Sequence, residues 1–170
     1  MTAAVCSERE DKMFRDIVRF KQKISQEECI EVLTNEVRGV LCVNGDDGYP
    51  YGSPMDHWYD PESGCIYFHG GLRGHKVDSM KASDKVSYCV YDQGYRKEDS
   101  WMLNIRSVIV FGRVEFVTDE EEMTRACLAI CHKFTDDEEY ISDEFRRGFD
   151  HTLCYKIVPE HMTGKLVEES

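Results

Sequence analysis

The sequence is poor in positive charge and in proline, and it has no long apolar run. It carries 21 Lys and Arg residues against 33 Asp and Glu residues, a net charge of −12, and only four prolines in 170 residues. Because nucleic acids bind mainly to basic side chains, a nucleic-acid partner is disfavoured, as is an anionic membrane surface. No apolar run approaches the roughly 20 residues of a membrane span. Met1–Lys12 is too polar for a secretory signal core, so we expect a cytoplasmic protein.

The eight cysteines form no recognisable metal or disulfide motif. They are scattered without a C-x-x-C pair, and most lie in apolar segments, where cysteine behaves as a small hydrophobic residue. This distribution favours a reducing compartment. Cys127 and Cys131, with His132, are conceivable metal ligands, but both cysteines fall on the apolar face of an amphipathic helix. We therefore expect core packing there and no metal site.

Composition and length indicate one globular domain. A chain with 41% hydrophobic and 11% aromatic residues is not disordered, and 170 residues suit a single core. Residues 1–24 are rich in charged residues, which predicts an N-terminal extension. The domain itself is predicted to occupy residues 25–170.

Periodicity and turn residues predict an α+β fold. Ser25 and Glu28 form a capping box that opens a helix ending near Asn35, and similar boxes at Thr118 with Glu121 and Thr135 with Glu138 open two later helices. A short helix is predicted at His75–Ala82. Extended segments are predicted at Val37–Val43, Tyr49–Tyr59, Cys65–His69, Lys85–Tyr91, Ile105–Val117 and Thr152–Val158, with a polar tail after them. Strands joined mostly by hairpins indicate a small antiparallel barrel with flanking helices.

A glycine-rich bend before the short helix is the first candidate site. The segment Tyr67–Lys76 ends a strand at Gly70-Gly71 and begins a helix after Gly74, so exposed N–H groups and the helix dipole favour an anion such as phosphate. From His69 to Lys85 the charge reverses locally, with two aspartates against four cations. Those cations are Arg73, Lys76, Lys81 and Lys85. The alternative is a simple turn followed by a helix with a solvated basic face.

The common nucleotide motifs are absent from this bend. A P-loop requires Gly-Lys followed by Ser or Thr, whereas this chain has Gly74-His75-Lys76-Val77, and no G-x-G-x-x-G is present. The expected phosphate ligand is therefore not a nucleotide held on a parallel α/β sheet.

A proline among aromatic residues marks a second candidate site in Tyr51–Asp60. Pro54 interrupts the predicted strand, so the strand is expected to lie at an edge, to bulge, or to turn towards a ligand. Unpaired N–H groups beside Trp58 and Tyr67 could receive a flat heteroaromatic ring. The alternative is an ordinary strand with a core tryptophan.

Five motifs in order resemble the FMN-binding split-barrel proteins. More specifically, the chain resembles the 5-nitroimidazole-resistance-type branch of the pyridoxamine 5′-phosphate oxidase-like flavoproteins over about residues 25–166. The motifs are Pro54-Met55 with Tyr59-Asp60, Tyr67–Gly70, Gly74-His75-Lys76, Arg106–Val114 and Met162–Lys165.

The resemblance implies a six-stranded antiparallel split barrel that forms a homodimer, with one FMN at each of two sites between the subunits. It implies that four residues face the isoalloxazine ring through their backbone: Pro54, Met55, Asp56 and His57. It implies that Phe68, His69 and Gly70 border the ring or ribityl chain, and that His75 and Lys76 meet the phosphate. Arg106 and Ser107 would come from the partner's long strand, with Trp101 covering the site.

The resemblance implies a flavin-dependent reductase or oxidase of small molecules, with nitroaromatic or quinone-like acceptors. His57 and His69 are candidate proton donors, because histidine titrates near neutral pH, although each is equally consistent with a hydrogen-bonded structural role. His57 and Trp58 replace the smaller or apolar residues common in relatives, which leaves substrate size open.

A non-catalytic flavin- or haem-binding protein for storage, delivery or sensing is the alternative, since split-barrel relatives that bind haem exist. The candidate haem ligands are His57, His69, His75, His132, His151 and His161.

Overall fold

A computed structural model describes residues 14–168, so the first thirteen residues of the predicted extension lie outside the described residues. The described chain contains seven strands and four α-helices. The strands are β1 (Arg38–Asn44), β2 (Pro50–Asp56), β3 (Trp58–Tyr59), β4 (Ile66–Gly71), β5 (Lys85–Tyr91), β6 (Asn104–Phe116) and β7 (Thr152–Glu168). The helices are α1 (Gln26–Asn35), α2 (His75–Ala82), α3 (Glu120–His132) and α4 (Glu138–Gly148).

The seven strands form one antiparallel sheet in the order β2-β1-β5-β6-β7-β4-β3. β2 and β3 stand at opposite ends of this order, yet only His57 separates them along the chain. The sheet must therefore curl until its two ends meet, which confirms the predicted antiparallel barrel. It has seven strands where six were predicted, because the predicted strand Tyr49–Tyr59 is divided at His57.

The two longest strands, β6 and β7, pair along nearly their whole length. The ladder runs from Asn104 opposite Glu168 to Phe116 opposite Tyr155, with a register shift between Phe111 and Gly112. The prediction that a polar tail follows Val158 is wrong, since β7 continues to Glu168. Backbone pairing with β6 supports this extension of β7, although polar and apolar residues alternate poorly along it.

The barrel interior is filled by the alternate side chains of its strands. In β5, Val86, Tyr88 and Val90 are buried, as alternation predicted. Phe68 of β4 stacks on Tyr155 of β7 with ring centroids 5.4 Å apart, and its edge contact with Tyr88 spans 4.9 Å. These aromatic rings pack with aliphatic residues from β1, β6 and α1 to form the main core.

Helix starts follow the predicted chemistry but not always the predicted residue. The Ser25–Glu28 capping box of α1 is confirmed, with both reciprocal bonds present. α3 is capped by Asp119 and α4 by Asp137, each accepting from the N–H three residues later. The two predicted Thr–Glu boxes were wrong because a nearby aspartate caps as well as threonine does. No helix in the described range has the length and apolar character needed to cross a bilayer.

We expect Gly39→Ala to destabilise the barrel where β1 crosses β5. A Cβ at Gly39 would lie 2.6 Å from the Cys89 carbonyl oxygen and 2.7 Å from Cζ of Tyr88. Overpacking of this kind lowers the free energy of unfolding by about 1–3 kcal/mol, measurable by urea denaturation. Gly148→Ala is the control, because its Cβ would meet nothing within 4 Å. Unchanged stability of Gly39→Ala would contradict the close approach of these strands.

Candidate functional site

The segment between β4 and α2 presents backbone N–H groups at a helix start. β4 ends at Gly71, and Gly74, with φ of 129°, precedes α2. This backbone conformation is rarely adopted by residues with a side chain, so glycine is favoured there. Gly74 also has no side chain with which to cap the helix. The first N–H groups of α2 and the helix dipole therefore favour an anion from outside the helix.

Lys76 is a half-buried cation in the first turn of α2. Its Nζ lies 2.7 Å from Sδ of Met55 and 5.9 Å from the ring centroid of Tyr155. Among residues 14–168 no carboxylate lies within ion-pair distance of it. Burial lowers the pKa of Lys76, since its ammonium has lost water without gaining an anionic partner. An anion placed here would satisfy this charge.

His75 lies beside Lys76 but is already engaged through its side chain. Its ring centroid is 4.3 Å from that of Tyr51, and its Nε2 is 3.5 Å from the carboxylate of Asp46. The imidazole thus rests on the turn between β1 and β2. Within the described contacts, His75 can contribute to an anion site through its N–H at the helix start, while Lys76 supplies the charge.

β2 forms the opposite rim of the site as an edge strand of the sheet. As its position predicted, Pro54 lies in this edge strand, opposite Val40 of β1. The Met55 carbonyl oxygen accepts a hydrogen bond from the Tyr88 hydroxyl, at 2.9 Å. The Asp56 carboxylate accepts one from Nε of Arg38, at 2.6 Å. The edge of β2 that faces away from β1 has no strand partner in the described sheet, so it can pair with a ligand's polar edge.

His57 is fully buried and its two ring nitrogens are both engaged. Nε2 lies 2.8 Å from the Leu33 carbonyl oxygen, a pure acceptor, so this nitrogen carries the proton and donates it. Nδ1 then has no proton and accepts from the Tyr88 hydroxyl at 2.8 Å, whose single hydrogen is shared with the Met55 carbonyl oxygen. Burial lowers the pKa of His57 to about 4, and the Lys133 ammonium acts in the same direction. These contacts favour the structural alternative for His57 over proton donation to a ligand.

The last three residues of β4 before Gly71 point to different environments. Phe68 fills the barrel, whereas a Cβ on Gly70 would lie 3.8 Å from Nζ of Lys76. His69, between them, faces the outside and lines a cleft beneath α3 and α4. Burial lowers the pKa of His69, with Lys76 acting in the same direction and Asp56 opposing. No hydrogen bond to its ring is found among the described residues, so His69 can address a ligand.

The predicted contributors from a partner lie apart from this group. Arg106 is bound to Asp92, with Nε 2.8 Å from the carboxylate, and to Glu31 at 2.9 Å. Ser107 lies in the middle of the sheet, between Tyr91 and Lys165. Trp101 is 74% exposed. No contact found in the described chain joins these residues to Lys76.

The cleft that His69 lines has a volume of about 510 Å³. α3, α4 and the turn after α4 supply its apolar walls, and the Arg38–Asp56 ion pair closes one end. The wall residues include Ile130, Phe134, Ile141, Phe145 and Phe149.

Most of the chain matches one known protein family. The family model described as pyridoxamine 5′-phosphate oxidase matches residues 25–166. The chain belongs to this family. No curated protein is significantly similar to the sequence.

Solved structures share the fold of this pyridoxamine 5′-phosphate oxidase family member. One, from Bacteroides thetaiotaomicron, is described as a 5-nitroimidazole antibiotic resistance protein, with 20% identity, 86% and 87% of the two chains covered and a TM-score of 0.70. An FAD-binding protein from Mesorhizobium loti has 24% identity, covers 86% and 97%, and scores 0.63. An FAD- and haem-binding protein from Mycobacterium smegmatis has 18% identity, covers 88% and 74%, and scores 0.66. At these identities the structures establish the fold.

Sequence reasoning on this family member missed the residues that support the site. Tyr88 and Tyr155 were visible as strand residues, but their contacts with Met55 depend on the barrel's closure. The Arg38–Asp56 pair follows from the register of β1 and β2, which the sequence does not specify. Three apolar residues in and just after α4 had a visible helical spacing, Ile141, Phe145 and Phe149, which could have indicated an apolar wall.

We expect His57 to make the protein less stable in mild acid. Its pKa is about 4 when folded and near 6.5 when exposed, so between these values the unfolded chain binds the additional proton. The free energy of unfolding should therefore fall by about 1.4 kcal/mol per pH unit from this residue as pH drops through that window. His57→Gln should show a correspondingly shallower slope in denaturant titrations from pH 7 to 4.5. Equal slopes in the two proteins would refute a buried neutral His57.

Proposed function

We propose that the protein binds FMN with its phosphate at the start of α2. The observation that carries this proposal is Lys76, a half-buried ammonium that has no carboxylate partner in the described chain and lies at an uncapped helix start. A phosphate monoester is the dianion that N–H groups, a helix dipole and one ammonium bind well. Gly70 and Gly74 allow close approach of the backbone there.

The rim opposite Lys76 fits the ring of the same cofactor. The unpaired edge of β2 at Pro54–Asp56 offers backbone groups to the polar edge of a flavin, and the side chain of Met55, which belongs to that edge, contacts Lys76. FMN supplies hydride or single-electron transfer when bound. The chain's own residues hold and orient the cofactor, since the described site contains no acid–base triad.

We further propose a reductase or oxidase acting on small acceptors of the nitroaromatic or quinone type. His69 supports this proposal, because its ring has no described hydrogen-bond partner and faces a cleft that adjoins Gly70. Its position suits donation of a proton or hydrogen bond to an acceptor, a role that His57 does not suit. Seven cysteines in the described chain are free thiols, consistent with a location in the cytoplasm.

A non-catalytic cofactor-binding protein is the second candidate, supported by the similar structure from Mycobacterium smegmatis that binds FAD and haem. The absorption spectrum of purified protein separates the two cofactors, since flavin gives two bands in the visible to near-ultraviolet range, whereas haem gives a strong Soret band. Anaerobic NAD(P)H reduction followed by nitroaromatic turnover tests catalysis. Reduction without turnover of any small acceptor would support the binding role.

Lys76→Met tests the phosphate site, because methionine keeps most of the length of the side chain and removes its charge. We expect FMN affinity to fall by about 1.5–3 kcal/mol, or roughly 10- to 150-fold, measured by flavin fluorescence titration. Lys81→Met, on the exposed part of the same helix, is the matched control and should bind FMN normally. Unchanged FMN affinity of Lys76→Met would remove this residue from the site.

We propose that the protein is a homodimer with FMN at the interface between subunits. The outer face of β5 and β6 supports this, because it exposes large apolar side chains: Tyr91 at 58%, and Ile109 and Phe111 at 39% each. These side chains lie on neighbouring strands, and Ser107 lies opposite Tyr91. Such a contiguous apolar face is typical of a protein interface. A second copy would cover it and bring Arg106 and Ser107 to the partner's flavin.

Ser107→Trp tests that arrangement. A bulky ring in the middle of the apolar face should impair both dimer formation and FMN binding, measured by light scattering and flavin titration. Glu121→Trp, exposed in the first turn of α3, is the control and should leave both unchanged. A monomeric flavin-loaded wild-type protein would overturn the intersubunit site.

A further inference from the structure

The cleft beneath α3 and α4 has the size and the walls of a small-molecule site. Its volume of about 510 Å³ lies within the range of roughly 300–1,000 Å³ that is usual for ligand pockets. It lies on the outer face of β4, reached through His69, whereas the proposed phosphate site at Lys76 lies beyond Gly70 on the same strand. The cleft is therefore a compartment beside the proposed flavin site.

The long walls of the cleft are apolar and partly aromatic. α4 turns Ile141 and Phe145 towards it, at the i and i+4 positions of one helix face, and Phe149 follows at i+8. The rings of Phe145 and Phe149 stack with centroids 4.5 Å apart. Ile130 of α3 faces the same space. Flat aromatic walls favour a flat apolar ligand, because such a ligand makes van der Waals contacts with both rings.

The polar groups of the cleft include the His69 imidazole and the hydroxyls of Thr135, Tyr140 and Thr152, with little net charge. Arg38 and Asp56 neutralise each other at 2.6 Å, and Glu144 lies at the exposed surface of α4. The imidazole of His69 has no hydrogen-bond partner among the described residues, and burial holds its pKa below the ordinary value. A neutral imidazole has one N–H to donate. A neutral guest with an acceptor oxygen suits this environment better than an anion.

We propose that this cleft binds a flat, neutral, largely apolar ring compound with a carbonyl oxygen on its edge, of the quinone class, and that His69 donates a hydrogen bond to that oxygen. The assignment of this compound as a substrate rests on the proposed function, whereas its binding does not. In this arrangement the apolar walls pack against the ring, and the imidazole donates its hydrogen bond to the oxygen.

The probe is 2,3-dimethyl-1,4-naphthoquinone, whose fully substituted ring cannot add the cleft thiols of Cys127 and Cys131. Its affinity for the purified protein, with and without added FMN, is measured by calorimetry. Ile141→Trp fills the cleft and should weaken binding at least tenfold. Ser142→Trp places the same ring on the exposed side of α4 and should bind the quinone within twofold of wild type.

A second comparison tests the hydrogen bond and does not depend on the folding of Ile141→Trp. Wild type should bind the quinone at least tenfold more tightly than 2,3-dimethylnaphthalene, which lacks the oxygens, and His69→Phe should lose this preference. Equal quinone affinity in wild type and a folded Ile141→Trp, or a preference retained by His69→Phe, would overturn the proposal. FMN titration of the same proteins reports separately on the proposed function. Quinone binding without FMN binding would refute the proposed flavin function and leave the quinone site intact.

Discussion

The closure of the barrel at His57 is the constraint on which the rest of the structure depends. One residue joins β2 to β3, which stand at opposite ends of the sheet order, so the curvature of seven strands is fixed at this point. The buried imidazole bonds to α1 through Leu33 and to β5 through Tyr88. A buried polar group held by partners on two elements favours one arrangement, because other arrangements leave more of it unpaired. His57 thus acts on the site through structure.

Closure at this point places the two halves of the candidate site against each other. The Tyr88 hydroxyl that meets His57 also binds the Met55 carbonyl oxygen, so the rim of β2 is held from inside the barrel. Met55 in turn contacts the ammonium of Lys76, which belongs to a helix that follows β4. Because side chains alternate along β4, His69 faces the outside of the barrel, whereas Gly70 lies beside Lys76. One strand end therefore borders both the proposed phosphate site and the cleft.

Local features of the sequence predicted local structure well and distant contacts poorly. The α2 and β5 boundaries and the Ser25 cap were predicted because spacing, alternation and capping act within a few residues. The anion-favouring bend before Lys76 was predicted for the same reason. The division of a strand at His57 and the cleft beneath α4 were not, since both arise when segments far apart in sequence meet. Their physical cause is the register of the sheet, which no local pattern encodes.

The proposed phosphate site at Lys76 does not conflict with the net charge of −12, because charges act only over a limited distance. Exposed charges are screened over about 8 Å at physiological ionic strength, so carboxylates at the distant caps of α3 and α4 contribute little at Lys76. The half-buried ammonium acts in a poorly hydrated environment, where a direct contact with an anion is stronger than in water. Binding an anion would also stabilise the protonated ammonium against its own burial. Local dehydration at Lys76 is therefore what supports the proposed anion site despite the net charge.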